Sequence, residues 1–304
     1  MLLIGAGQLT EYLATMALFN GFSVQATPDQ RSRLAKLPGV RALYPVEVIA
    51  APNPVREEQA PDMVAAVALT RADIAQNVLG LTGAGVRVAI IDSGIDIDHP
   101  AFGGTGTPGT TPFPSARVVA GYDFVGDAFD GSNAPVPDGD PRDCPATGTS
   151  PSGASASGGH GTHVAGIVGA NGGGIKGVAP GASLGAYRVF GCYGSTTADV
   201  MIAAMERALT DGMQVINMSI GSRAQWAQYP TAQAASRLAQ KGVVVVSSIG
   251  NNGPGGSAPD GLFAAGAPGV GESVIGVASF DNAQRSFVVG GTPYGFNQAT
   301  ASPT

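Results

Sequence analysis

The sequence predicts an α/β fold: a mainly parallel sheet with helices on both faces, preceded by a small α+β unit. Three observations predict it. Val88–Ile91 and Val243–Val246 are continuous apolar runs, as expected of strands buried on both faces of a parallel sheet. Stretches of helical periodicity alternate with such runs from about residue 160 onward. The 304 residues, 44% of them apolar, suffice for one large domain and a small one.

Taken in order, residues 8–20 have apolar side chains at helical spacing (Leu9, Leu13, Met16, Phe19) and a stop at Asn20-Gly21, which predicts a helix. Phe22–Ala26 alternates as a strand. Thr27-Pro28 opens a second helix over 28–36, with Thr27 as N-cap and Pro28 at the first helical position. Val40–Tyr44 reads as another strand. Residues 1–49 thus form a small helix–strand–helix–strand domain. Residues 50–62, rich in Pro and charge, are a linker, and 63–304 are the main domain.

Residues 71–79 read as a helix with Thr70 as N-cap and Gly80 as its stop. A buried strand follows and ends on Asp92. Residues 103–158 are an irregular excursion around one short strand near 118–125. Beyond it come a helix over 162–170, a strand at 183–189 and a helix at 198–210. A strand at 215–219, a helix at 231–240 closed by Gly242, and strands at 243–246 and 274–278 complete the pattern.

Composition narrows the function. Net charge is −6 and no Lys/Arg run occurs, so nucleic-acid binding has no electrostatic footprint. No apolar run reaches the length of a membrane span. Cys144 and Cys192 form no Cys-x-x-Cys pair; they are either one disulfide or two thiols. With three histidines a structural zinc site is not expected. Asp127, Asp130, Asp138, Asp140 and Asp143 offer hard oxygens for calcium. Their spacing is not that of an EF-hand, and solvated turns are the expectation.

Three polar residues stand at strand ends or loop–helix junctions: Asp92, His160 and Asn251. Acyl transfer uses such a set. A carboxylate orients a histidine, the histidine deprotonates a serine, and an amide donates to the oxyanion. A metal hydrolase built on His99, His160 and His163 is an alternative.

Val88–Asp96 with His99-Pro100, His160-Gly161-Thr162-His163-Val164-Ala165-Gly166, Gly177–Pro180, Asn217–Gly221 and Gly250–Gly253 resemble, in that order, the sequence blocks of subtilisin-like serine proteases. The resemblance runs from about residue 70 to 285 and implies their three-layer fold. It implies Asp92 as orienting carboxylate, His160 as general base and Asn251 as oxyanion donor, with His163 structural. The Asp, His order along the chain and an asparagine as oxyanion donor are features of that family's pattern. Gly194-Ser195 and Ser219-Ile220-Gly221 resemble the two rims between which a peptide substrate adds as a strand. Residues 1–49 resemble the end of an inhibitory propeptide, an intramolecular partner that blocks the cleft. The family further implies secretion and no cofactor for the chemistry; structural calcium stays open.

One block is missing. No serine after Asn251 (Ser257, Ser273, Ser279, Ser286, Ser302) has the Gly-Thr-Ser-Met-Ala context, and Thr149-Ser150 precedes His160 and is followed by Pro151. The expectation is an endopeptidase truncated before its nucleophile. The alternative is a non-catalytic peptide-binding protein on the same fold.

Overall fold

The computed structural model describes residues 14–15, 17–52, 63–145, 157–252, 264–279, 284–289 and 292–297. Six parallel strands form its centre: β4 (Arg87–Asp92), β5 (Val118–Asp123), β8 (Ser183–Arg188), β10 (Val215–Met218), β11 (Val244–Ser248) and β12 (Ile275–Val277). Their order is β12-β11-β10-β4-β8-β5. From β5 the chain passes through α4 (His160–Gly169) to β8. It then crosses β4 through α5 (Ala198–Thr210) to β10, and passes through α6 (Pro230–Gln240) to β11. The crossing over β4 makes the C-terminal ends of β8, β4 and β10 the place where open α/β sheets collect functional groups.

Strand alternation builds the layers. Ala89 and Ile91 of β4 join one core cluster with Met201 and Met205 of α5 and Leu238 of α6. Val88 and Ile90 join the other, with Val164 and Ala165 of α4 and Leu184 of β8. Successive side chains of a strand point to opposite faces, so a continuous apolar run needs both helix layers. The mainly parallel, three-layer α/β arrangement expected from the sequence is the one observed.

The small elements depart more from expectation. Residues 8–13 lie outside the described residues, but the second half of the expected 8–20 helix is not helical. Ala14–Thr15 (β1) pairs antiparallel with Gly21–Phe22 (β2). The reason is tertiary: Glu206 of α5 accepts the backbone N–H groups of Ala17 and Leu18 at 2.9 and 2.6 Å, donors no longer available to a helix. The expected Phe22–Ala26 strand reduces to β2. α1 spans Pro28–Leu34 with the Thr27–Gln30 capping box in place.

Val40–Tyr44 is not a strand. The strand lies further on, at β3 (Val48–Ala50), inside the region where the expected linker begins; residues 53–62 are outside the described ones. The expected 71–79 helix is present as α3 (Ala72–Asn77), and a further short helix, α2 (Met63–Leu69), precedes it. Thr70 is not an N-cap. Its hydroxyl donates to Ala66 O of the preceding helix, and Arg71 takes the N-cap position in the left-handed region (φ 63°). The hairpin β6 (Asn171–Gly172) and β7 (Ile175–Lys176) follows α4, and β9 (Ser195–Thr197) precedes α5. A second hairpin, β13 (Gln284–Val289) with β14 (Thr292–Asn297), lies near the chain end.

Candidate active site

β4 ends on Asp92, which is fully buried. α4 begins on His160 after Gly159, whose φ of 85° is open to glycine at little cost. The helix can start this close to the strand because Gly161 has no side chain. A Cβ there would lie 2.2 Å from Gly94 O and 3.1 Å from the Asp92 Cβ. The result is a 2.8 Å hydrogen bond between His160 Nδ1 and Asp92 Oδ1. Asp92 Oδ1 also accepts Ser93 N at 2.8 Å, and Ser93 Oγ accepts Gly161 N at 2.8 Å, which ties the strand end to the first turn of the helix.

This pairing fixes the imidazole. With Nδ1 directed at a carboxylate, Nε2 is left to exchange a proton with a reactant. Burial opposes a charged imidazole, but the Asp92 hydrogen bond and the charges of Asp92 and Asp143 outweigh it and raise the His160 pKa above its ordinary value. His163, one turn along α4, is shifted the opposite way by burial and by the neighbouring His160. Its Nε2 is buried without a hydrogen-bond partner among the described residues.

Asn251 lies three residues beyond β11, after Gly250 (φ 98°), and is exposed. Asp92, Asn251 and Ser219-Ile220-Gly221, which follows β10, therefore share the C-terminal edge of the sheet. Ile220 packs its side chain in the core. Gly221 lets Ala267 O approach to 2.5 Å from where a Cβ would stand. At the segment expected to form the other rim, β9 is already paired. β3 lies antiparallel on it, with Ala50 opposite Ser195, Ile49 opposite Thr196 and Val48 opposite Thr197, and Gly194 O accepts Ala51 N at 3.2 Å. Ser222, next to Gly221, donates its hydroxyl to Glu47 Oε1 at 2.6 Å. The segments 194–197 and 221–222 thus both contact residues 47–51 of the same chain.

The cysteines are joined as a Cys144–Cys192 disulfide. Arg188, at the end of β8, pairs with Asp123 at 3.0 Å and Asp127 at 2.8 Å beside it. Among the described residues the grouping within metal-ligand reach is Asp127 with Cys144 and Cys192, whose sulfurs are committed to each other. His99, His160 and His163 do not converge. His99 Nδ1 accepts Ala101 N, and His160 is held by Asp92.

Of the acidic residues read as solvated turns, Asp130, Asp138 and Asp140 do accept nearby backbone N–H groups. Asp143 does not fit that reading. Its Oδ2 accepts Thr162 N at 3.1 Å and Thr162 Oγ1 at 2.6 Å, in the first turn of α4. Sequence reasoning also missed Ser93 and Arg188. Ser93 had a signal, since it directly follows Asp92. Asp143 had none, lying 19 residues before its partner.

The subtilase family model matches residues 83–303. The chain is 35% identical over 269 residues to Minor extracellular protease Vpr of Bacillus subtilis, covering 86% of this chain and 29% of that protein. To subtilisin E of the same organism it is 32% identical over 220 residues, covering 70% of this chain and 46% of that protein. The solved structure of Sphericase aligns with a TM-score of 0.47 at 28% identity, covering 72% of this chain and 59% of that one. The chain spans less than two thirds of the length of these relatives. With the family model matched across the whole sheet and both site motifs, the chain belongs to the subtilase family.

Proposed function

We propose that this chain carries the base and oxyanion half of a secreted serine-type endopeptidase. The observation that carries the reading is the 2.8 Å Asp92–His160 hydrogen bond at the C-terminal edge of the sheet. Asp92 holds the imidazole in the tautomer whose Nε2 is free. His160 takes the proton of an attacking serine and returns it to the leaving amine. Asn251 donates to the oxyanion of the tetrahedral intermediate. Every step moves a proton or electron pair between side chains and substrate, so the chemistry needs no cofactor.

The substrate is a protein or peptide in extended form. It adds as a strand between Gly194-Ser195 and Ser219-Ile220-Gly221. Support for that mode comes from β3, which lies on the Ser195 rim by backbone pairing. Residues 1–49 are read as a propeptide domain whose end occupies the cleft, 50–62 as the linker in which it is processed, and 63–304 as the catalytic domain without its nucleophile. The competing reading is a non-catalytic peptide-binding protein on the same fold.

Fluorophosphonate labelling separates the two. It is to be run on this chain and on a form extended through the downstream reading frame. Labelling of the extended form alone supports the endopeptidase, labelling of neither supports the binding protein, and labelling of the 304-residue chain means that an unassigned serine is active. In a labelled form, Asp92→Asn is expected to lower kcat by about 10⁴-fold with little change in KM, through loss of the correct tautomer. A change below about tenfold would remove Asp92 from the mechanism.

A further inference from the structure

Three segments meet at one junction beside His160: the end of β4, residues 141–143 and the first turn of α4. Gly94 permits the contact on both sides. A Cβ there would lie 2.7 Å from Pro141 O and 2.9 Å from Asp143 N. Backbone bonds lock the first two segments together, with Ile95 N donating to Pro141 O at 3.2 Å and Asp143 N donating to Ile95 O at 3.3 Å. The loop is anchored again one residue later, through the Cys144–Cys192 disulfide, and Ser157 N donates to Cys192 O at 3.0 Å just before α4 begins.

α4 lacks a side-chain cap of its own. Its N-cap residue is Gly159, so the orphan N–H groups of its first turn need an outside acceptor. Asp143 supplies one, accepting both the N–H and the hydroxyl of Thr162. Thr162 in turn accepts Asp96 N at 2.9 Å, so the same hydroxyl ties α4 to the loop after β4.

We propose that Asp143 is a positioning residue for His160: a carboxylate that caps α4 from a separate loop and, together with Asp92, holds the imidazole in place and favours its protonated form. This rests on reading His160 as the general base. Asp92 acts by direct contact; Asp143 acts through Thr162 and through its charge. The charge of Asp143 is among the causes that raise the His160 pKa. Burial pushes the carboxyl of Asp143 itself up to about 6, against the hydrogen bonds from Thr162 that favour its anion. Above that pH it is charged and stabilises the imidazolium.

The other ionisable groups around Asp143 come from every element packed there. Asp92 ends β4, and His160 and His163 are on α4. Asp96, Asp98 and His99 follow β4, Arg142 precedes Asp143, and Asp73 of α3 and Lys176 of β7 line the same cavity as Asp143. Arg142 does not neutralise Asp143, since its guanidinium is taken by Asp140 at 2.8 Å and Asp98 at 3.4 Å.

The test follows the Cε1 proton resonances of the three histidines through a pH titration of this chain. Asp143→Asn keeps the size and an acceptor but removes the charge. Asp130→Asn is the control, removing an exposed charge whose side chain contacts Ser132 and Asn133 rather than Arg142. The expected result is a lower His160 midpoint in D143N and no movement in D130N, with D143E restoring the higher midpoint. An unmoved His160 midpoint in folded D143N overturns the proposal. Should D143N not fold, the wild type decides. Its His160 resonance is expected to show a second inflection near pH 6, where Asp143 loses its proton, and a single inflection overturns the proposal. None of these readouts needs peptidase activity. A chain that passes them while the serine-bearing form stays inactive overturns the functional reading and leaves this one standing.

Discussion

The sheet and the N-terminal segment 17–52 reach burial by different routes. The inner strands β4 and β8 carry their own burial in sequence, because alternate residues feed the two helix layers, whereas β11 places Val245 in one layer and the edge strand β12 is exposed along its length. The segment has no such self-sufficiency. α1 buries no residue at all, and the segment's large buried side chains, Leu18, Phe19 and Ile49, sit in the core cluster built by β4, β8, α5 and α6. The difference teaches that the sheet is the folding unit and that 17–52 is held on it by a few anchors. A core that forms without the segment stays folded when an anchor is cut, whereas a sheet strand cannot be weakened without weakening everything.

The largest effect that separates the two belongs to the sheet. Leu184 of β8 is fully buried between the sheet and α4. Leu184→Ala is expected to cost about 2–5 kcal/mol of unfolding free energy, read as a lower urea midpoint for the whole chain. Loss of protection in the N-terminal segment alone would contradict the division.

Ile49 gives the converse. It is 2% exposed and is the middle residue of β3, between Val48 and Ala50, which face solvent. Ile49→Ala removes a comparable apolar contact, on the order of 2–5 kcal/mol, but from an anchor rather than a strand of the sheet. Hydrogen exchange is expected to speed up at residues 47–51 and at the Ser195–Thr197 amides, with the urea midpoint of the sheet nearly unchanged. A midpoint that falls as far as in Leu184→Ala would mean that the segment belongs to the folding unit after all.

The same contrast explains what the sequence disclosed. The strand at 87–92 was legible because burial on both faces leaves an uninterrupted apolar run; at 215–218 Asn217 breaks the run, and the all-apolar stretch at 243–246 marked a strand although Val244 is exposed rather than buried. The helix at 198–210 was legible because its polar residues Asp199, Glu206, Arg207 and Thr210 fall on one narrow stripe at helical spacing while the rest is largely buried. Asp92 and His160 were legible because their junction needs glycines at fixed places, and Gly94 and Gly161 stand in the motifs themselves. The strand at 48–50 was not legible. Its partner is the Ser195 edge of a distant segment, and backbone pairing leaves no residue-type signal. The helical period of residues 8–20 misled because Glu206, far along the chain, captures the backbone N–H groups of Ala17 and Leu18. Asp143 was hidden for the same reason, its partner being fixed by the fold of a loop rather than by local pattern.

Glu206 is therefore a smaller lever on the segment. Glu206→Gln keeps an acceptor oxygen but removes its charge, so two charge-assisted bonds become ordinary ones. The expected loss is on the order of 1 kcal/mol of docking, below that of Ile49→Ala. Exchange at the Ala17 and Leu18 amides should quicken while residues 47–51 keep their protection. Equal loosening at both places would show that 17–52 detaches as one piece rather than anchor by anchor.

The smallest effect is a pH dependence at Glu47. Its carboxylate is half-buried against the rim and takes the Ser222 hydroxyl. Burial pushes its pKa above the ordinary carboxylate value, and the Ser222 hydrogen bond only partly opposes that rise. The sign follows from linkage. A carboxyl whose pKa is higher docked than released binds its proton more tightly when docked. Its contribution to docking is thus fully present below the released pKa and is lost as pH rises through the docked one. Cleavage of residues 47–51 by an added protease is expected to slow as the solution is acidified toward the carboxylate range, and Glu47→Gln should flatten that trend once the added protease's own pH dependence is divided out. Leu184→Ala gives the contrast, since it weakens the sheet without touching the rim and should leave the trend in place. A trend that survives in Glu47→Gln would assign the pH dependence to another group on the cleft and leave Glu47 as a neutral contact.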